Sequence, residues 1–170
     1  MNNKNNISDK RPPLIPMLIG TGFGSGFWPW GPGTAGSIVA LLGWFALSLL
    51  FHNDNSAIQQ YIIIAFILLF TCLGTWAIRI LQPYWGEDPS KVVIDEMVGI
   101  WIPLSILQPE DYLGAILALI SFRIFDIFKP FGIKTLDHQK GAFWVMADDI
   151  LAGIYSLIII TIYLQIFRFT

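Results

Sequence analysis

Ile94-Asp95-Glu96-Met97-Val98-Gly99-Ile100-Trp101 sets two adjacent carboxylates near the start of an apolar run that extends from Val92 to Leu107. The 170-residue chain around it is 55% hydrophobic and only 13% charged, with a mean hydropathy of +0.62. That balance makes a bilayer the expected solvent. A charge at mid-bilayer costs about 2.5–3.5 kcal/mol on insertion scales, so an acidic pair in this setting calls for compensation, most simply a cation. Asp126, inside a Phe-rich stretch, and Asp148-Asp149, just before Ile150, share the difficulty. The expectation is that these groups meet.

Working outward from this run gives an all-α, polytopic membrane bundle of about five spans. Residues 12–170 form one membrane-embedded domain behind a polar tail, residues 1–11. The spans are read as Thr34 to Phe51, Ala57 to Leu81, a third from Pro89 to about Leu107 that Pro103 kinks, Tyr112 to Phe128, and Phe143 to Phe167. Thr34 and Ser37 are capping candidates for the first. Pro12 to Ile19 is apolar but too short to cross. With the glycine-rich segment after it, where seven of the 15 glycines fall between Gly20 and Gly36, it is expected to be interfacial or re-entrant. No cleaved signal peptide is expected.

Lys4, Lys10, Arg11, Arg79, Lys91, Lys129, Lys134 and Lys140 fall on the N-terminal side of this topology, and Arg168 lies opposite. The positive-inside rule then puts the N-terminus in the cytoplasm. Trp28, Trp30, Trp85, Trp101 and Trp144 read as interfacial belt residues. A net charge of −2 gives no field for nucleic acid. Cys72, the single cysteine, excludes an intramolecular disulfide and reads as a small buried residue.

With that topology Asp95, Glu96, Asp126, Asp148 and Asp149 share one depth at the cytoplasmic edge. Asp95 is followed by Gly99 and Asp149 by Gly153, each four residues on and so on the same helix face, where a bare patch admits a helix or a ligand. Hard oxygen ligands without a cysteine or histidine cluster favour Mg²⁺ over zinc. The plainer alternative pairs Asp126 with Arg123 and uses Asp148 as a cap, while Lys91, four residues before Asp95, offers that residue a surface partner. Arg123 and Lys129 flank Asp126 as a phosphate clamp. Backbone N–H groups near Gly24, Ser25, Gly26, Gly33 and Thr34 offer an anion cradle, although no Gly-Lys-Ser/Thr follows to make a Walker motif. His138 reads as a surface residue, and His52 falls on the far side.

Gly22 to Gly26, Pro32 to Ser37, Asp95 to Trp101, Phe122 to Pro130 and Asp148 to Gly153, in this order, resemble the phosphatidylglycerophosphatase A family. The resemblance implies an all-helical bacterial inner-membrane enzyme that uses Mg²⁺ to release inorganic phosphate from phosphatidylglycerophosphate, leaving phosphatidylglycerol. By motif position it implies roles for Asp95, Glu96, Arg123, Asp126, Lys129, Asp148 and Asp149. Ala142, Phe143 and Trp144 stand where the family tends to carry further glycines. The attacking group is either an activated water or a carboxylate that forms an aspartyl-phosphate. Two rival classes are an ion or proton transporter with a carboxylate relay and a lipid phosphotransferase.

Overall fold

The computed structural model describes residues 11–51 and 56–168, and among them every regular element is helical. Lys4, Lys10 and His52 lie outside the described residues. The helices are α1 (Leu14–Gly20), α2 (Pro32–Leu50), α3 (Ser56–Trp85), α4 (Ile94–Leu104), α5 (Tyr112–Phe128), α6 (Ile133–Asp137) and α7 (Ala142–Arg168), with a 3-10 turn at Ser25–Phe27.

Three of them are long and apolar enough to cross a membrane: 19 residues in α2, 29 in α3 and 26 in α7. Their outer faces carry Leu49, Leu50, Leu68, Ile158 and Phe167, all exposed. That pattern suits acyl chains and would be a liability in water. The expected fourth span coincides with α5 residue for residue, and its 17 residues rise about 25 Å.

The expected third span is corrected. α4 has 11 residues, a rise of about 16 Å, which is too short to cross. Its start is held back because Val93 N–H donates to Gly20 O at 2.8 Å, tying the preceding turn to the end of α1. At the other end Pro103 removes a donor from the last turn, and Ser105 N–H closes the helix on Trp101 O at 2.9 Å. Nine of its residues are buried, because α7, α2, α3 and α5 all pack around it. α4 is the axis of the bundle.

Glycines let the helices close on that axis. A methyl group at Gly36 of α2 would stand 2.7 Å from Val93 Cβ, and one at Gly153 of α7 would overlap Gly99 O of α4. The bare patches beside Asp95 and Asp149 therefore face each other, each admitting the other's helix.

Three smaller expectations change. α2 starts at Pro32 behind Gly31, with no side-chain cap, so neither Thr34 nor Ser37 caps it. Ser37 Oγ instead donates to Gly33 O at 2.9 Å within the helix. Trp101 is buried, donates from Nε1 to Ala40 O at 3.2 Å, and packs against Phe66 and Phe70. Cys72 is exposed on the outer face of α3.

Candidate active site

The N-terminal ends of α2, α4 and α7 and the C-terminal ends of α3 and α5 gather at one end of the bundle. Between them lies a cavity of about 520 Å³, walled by Gly31, Gly33, Asp95, Glu96, Arg123, Lys129, Asp148 and Asp149, with Glu87, Asp88, Asp137 and His138 toward its rim.

Asp95 and Glu96 occupy the first turn of α4, where the helix dipole favours anions. Asp95 Oδ1 accepts from the Glu96 N–H at 3.1 Å. Asp149, carried in by the Gly99–Gly153 contact, completes a triad in which one ligand oxygen from each residue lies within 4.8 Å of the others. Glu96 Oε2 and Asp149 Oδ1 are buried without a hydrogen-bond partner. Buried carboxylate oxygens left unpaired are costly. Three oxygens no more than 4.8 Å apart share a point within about 2.8 Å of all of them, against a Mg²⁺ bonding distance of about 2.1 Å, so the triad would close on a small divalent cation with sub-ångström adjustment.

Asp126, Asp137 and Asp148 are paired with cations. Arg123 Nη1 donates to Asp126 Oδ2 at 2.5 Å, the pairing that the plainer sequence reading anticipated. Asp126 is half-buried and, unlike its partner Arg123, is not among the residues that wall the cavity. Asp148 does not cap α7. Its Oδ2 accepts from Lys129 Nζ at 2.7 Å, and Lys129 Nζ also bonds Asp137 Oδ1.

Lys129 can reach both because it ends α5 in the left-handed conformation, φ 46°, which turns its side chain back across the end of the bundle. Burial alone would lower its pKa, but the hydrogen bonds to Asp137 and Asp148 outweigh burial and hold the ammonium above the ordinary lysine range. Asp137 was not singled out in the sequence. It sits in α6, inside what reads as a polar loop, and nothing local distinguishes it from its neighbours.

The expected anion cradle divides. Gly33 faces the acidic cavity, where a methyl group would overlap Glu96 Oε1 and come within 3.1 Å of Arg123 Nη1. Gly24, Ser25 and Thr34 line a separate apolar hollow next to it. Gly26 is pressed against the Lys91 carbonyl with no room for a side chain. Lys91 does not pair with Asp95. Its ammonium stands 6.0 Å from the ring of Phe27 and 5.6 Å from that of Trp85, a cation–π arrangement. His138 is exposed, with Nδ1 3.7 Å from Asp137.

The site is thus a carboxylate trio with two buried, unpaired oxygens, flanked by a guanidinium held by Asp126 and an ammonium held by Asp137 and Asp148. Such a set can bind a divalent cation and, beside it, a phosphate group.

Comparison with known proteins points to phosphatases. The family model described as Phosphatidylglycerophosphatase A matches residues 18–164. A protein of Bacteroides thetaiotaomicron, provisionally named phosphatidylinositol-3-phosphatase, is 49% identical over 155 residues, covering 90% of this chain and 96% of its own. Two proteins named phosphatidylglycerophosphatase A are also similar. The Haemophilus influenzae protein is 35% identical, covering 92% of this chain and 94% of its own, and the Escherichia coli K12 protein is 33% identical, covering 82% and 77%. No solved structure matches the chain. The match takes in α2 to α5 whole and most of α7, including every wall residue of the acidic cavity, and the chain belongs to the phosphatidylglycerophosphatase A family of phosphatases.

Proposed function

We propose that this phosphatase hydrolyses the terminal phosphate monoester of phosphatidylglycerophosphate to phosphatidylglycerol and inorganic phosphate, with Mg²⁺ held by Asp95, Glu96 and Asp149. The observation that carries the reading is the triad itself: three carboxylates within 4.8 Å, two of them with buried unpaired oxygens, beside Arg123 and Lys129. When bound, the cation supplies charge neutralisation and Lewis acidity to the phosphoryl group.

The chain's own residues do the rest. Arg123, aimed by Asp126, and Lys129, aimed by Asp137 and Asp148, steady the equatorial phosphoryl oxygens. Gly33 has no side chain, which lets the Glu96 carboxylate and the Arg123 guanidinium lie against the start of α2. Water adds to phosphorus and gives a proton to a carboxylate oxygen of the triad; the phosphorus–oxygen bond to glycerol breaks, and that proton passes on to the glycerol oxygen, which leaves as the alcohol.

The protein sits in the bacterial inner membrane with its N-terminus and this cavity on the cytoplasmic side, α5 crosses beside the three longer helices, and α4 enters only part-way. The lipid tails then stay in the bilayer while the headgroup reaches the triad.

A second substrate is favoured by the Bacteroides relative, whose name points to phosphatidylinositol 3-phosphate, another lipid phosphate monoester. Phosphate release by purified protein is measured from both lipids, with Mg²⁺ and with EDTA. Release from phosphatidylglycerophosphate that EDTA abolishes and Mg²⁺ restores supports the proposal. Preference for the inositol lipid shifts the substrate, and turnover unchanged in EDTA removes the cation.

A further inference from the structure

The acidic cavity accounts for a phosphate but not for the rest of a lipid. Beside it lies a second hollow of about 640 Å³, lined mainly by apolar groups including Phe27, Trp28, Trp30, Ala35, Ile38 and Val39. Gly31 belongs to the walls of both. It has φ 144° and no side chain, and apart from its chain neighbours a Cβ there would meet nothing closer than 3.6 Å, so only backbone stands at this shared wall.

On the far side the hollow runs onto the outer face of α2, where Ile38, Val39 and Leu42 are exposed along a helix long enough to cross the bilayer. Trp28 and Trp30 stand over its mouth with their rings edge to face, 6.1 Å apart. Both are exposed, Trp30 by 87%, and a pair of indoles beside an apolar trough suits the level where ester groups give way to acyl chains.

We propose that this hollow is the subsite for the diacylglycerol end of the substrate, with the chain backbone crossing at Gly31 so that the phosphate lies in the acidic cavity and the acyl chains descend along α2. This rests on the lipid phosphatase reading above. Another apolar hollow, of about 260 Å³ between Phe125, Phe131, Tyr155, Ile158 and Ile159, shares no wall residue with the acidic cavity.

The test uses Ile38→Trp, which fills the hollow from an exposed helix face, with dioleoyl and dihexanoyl phosphatidylglycerophosphate in the same detergent. The expected result is a rise in KM of about tenfold for the dioleoyl lipid, with the dihexanoyl lipid within about twofold of wild type. Equal loss on both, or no loss on either, overturns the subsite.

A second readout does not depend on turnover. Phosphatidylglycerophosphate with a diazirine near the ester end of one acyl chain is irradiated on ice with the wild-type protein in phosphatidylcholine vesicles. Adducts within residues 27–39 that decline with excess unlabelled phosphatidylglycerophosphate, but not with more phosphatidylcholine, support the proposal. Adducts centred on 125–159, or spread evenly over the outer faces of α3 and α5, refute it. A wild-type protein that releases no phosphate from either lipid defeats the phosphatase reading, while the adduct map still decides the subsite.

Discussion

Gly99→Ala tests the packing that assembles the triad. A methyl group at this position would stand 2.7 Å from Phe122 Cζ and 2.8 Å from the Asp149 carbonyl oxygen. Ordinary contact begins at 3.4 Å, so against the carbonyl the shortfall is 3.4 minus 2.8, or 0.6 Å. Phe122 is fully buried, and the carbonyl is backbone that moves only with α7. The helices must therefore part, and the residue pushed away is a member of the triad. Overpacking of this kind costs about 1–3 kcal/mol of stability. A 1 Å misplacement can cost about a hundredfold in rate, so a 0.6 Å displacement predicts a loss on the order of tenfold or more. Gly43→Ala is the control: it lies in α2 with nothing within 4 Å of the added methyl, and it should be neutral or stabilising by up to about 1 kcal/mol. Phosphate release and thermal unfolding are measured in one detergent. A Gly99→Ala protein with wild-type melting and wild-type turnover would refute the close α4–α7 contact as the device that sets the site.

The other predictions separate the two kinds of carboxylate. Asp149→Asn should reduce phosphate release by at least about a hundredfold, within the range seen when an electrostatic group of an active site is removed, and should weaken Mg²⁺ binding in calorimetry. Asp126→Asn should leave Mg²⁺ binding in place and mainly raise KM, by about tenfold, because the charged partner that aims Arg123 is lost. Asp137→Asn should be milder than Lys129→Met, since Asp148 still holds the ammonium. Lys129 also makes a pH prediction. A lysine pKa raised on folding contributes stability that is fully present below its unfolded value, near 10.5, and is lost as pH rises through the folded value. The melting-temperature difference between wild type and Lys129→Met should thus stay constant from about pH 7 to pH 9; a steady decline over that interval would contradict the pairing.

Much of the site was legible because it is built from short-range pattern. The i to i+4 spacing of Asp95 with Gly99 and of Asp149 with Gly153 encodes a close helix crossing with acids beside it, and the helices do cross there. The bounds expected for the fourth span, Tyr112 to Phe128, are those of α5, which Asp111 caps by accepting from Gly114 N–H at 2.8 Å. α4 was misjudged because hydropathy measures removal from water, and a helix walled by other helices is as apolar as one walled by lipid. Trp101 was misplaced for the same reason, and Cys72 for the converse one: an apolar neighbourhood in the sequence meant lipid rather than core. Which acids would have cations was not legible. The Lys129 pairing joins residues 129, 137 and 148 through a left-handed turn and α6, and no local pattern specifies that fold-back.

The division of the carboxylates has a thermodynamic consequence for the proposed Mg²⁺ site. Asp126, Asp137 and Asp148 are matched by Arg123 and Lys129, whereas no salt bridge among the described residues neutralises Asp95, Glu96 or Asp149. A phosphate monoester brought to the cavity meets two cations already committed to three anions, and beside them an unmatched acidic trio. Without a divalent ion the trio opposes the ester; with one it does not. Cation and lipid must then bind with positive coupling, and reciprocity requires each to raise the other's affinity by the same factor. Mg²⁺ affinity measured with and without phosphatidylglycerol, the product that lacks the phosphate, should not change, whereas inorganic phosphate should raise it. Equal Mg²⁺ affinity in the presence and absence of phosphate would mean that the trio and the phosphate do not share one electrostatic site.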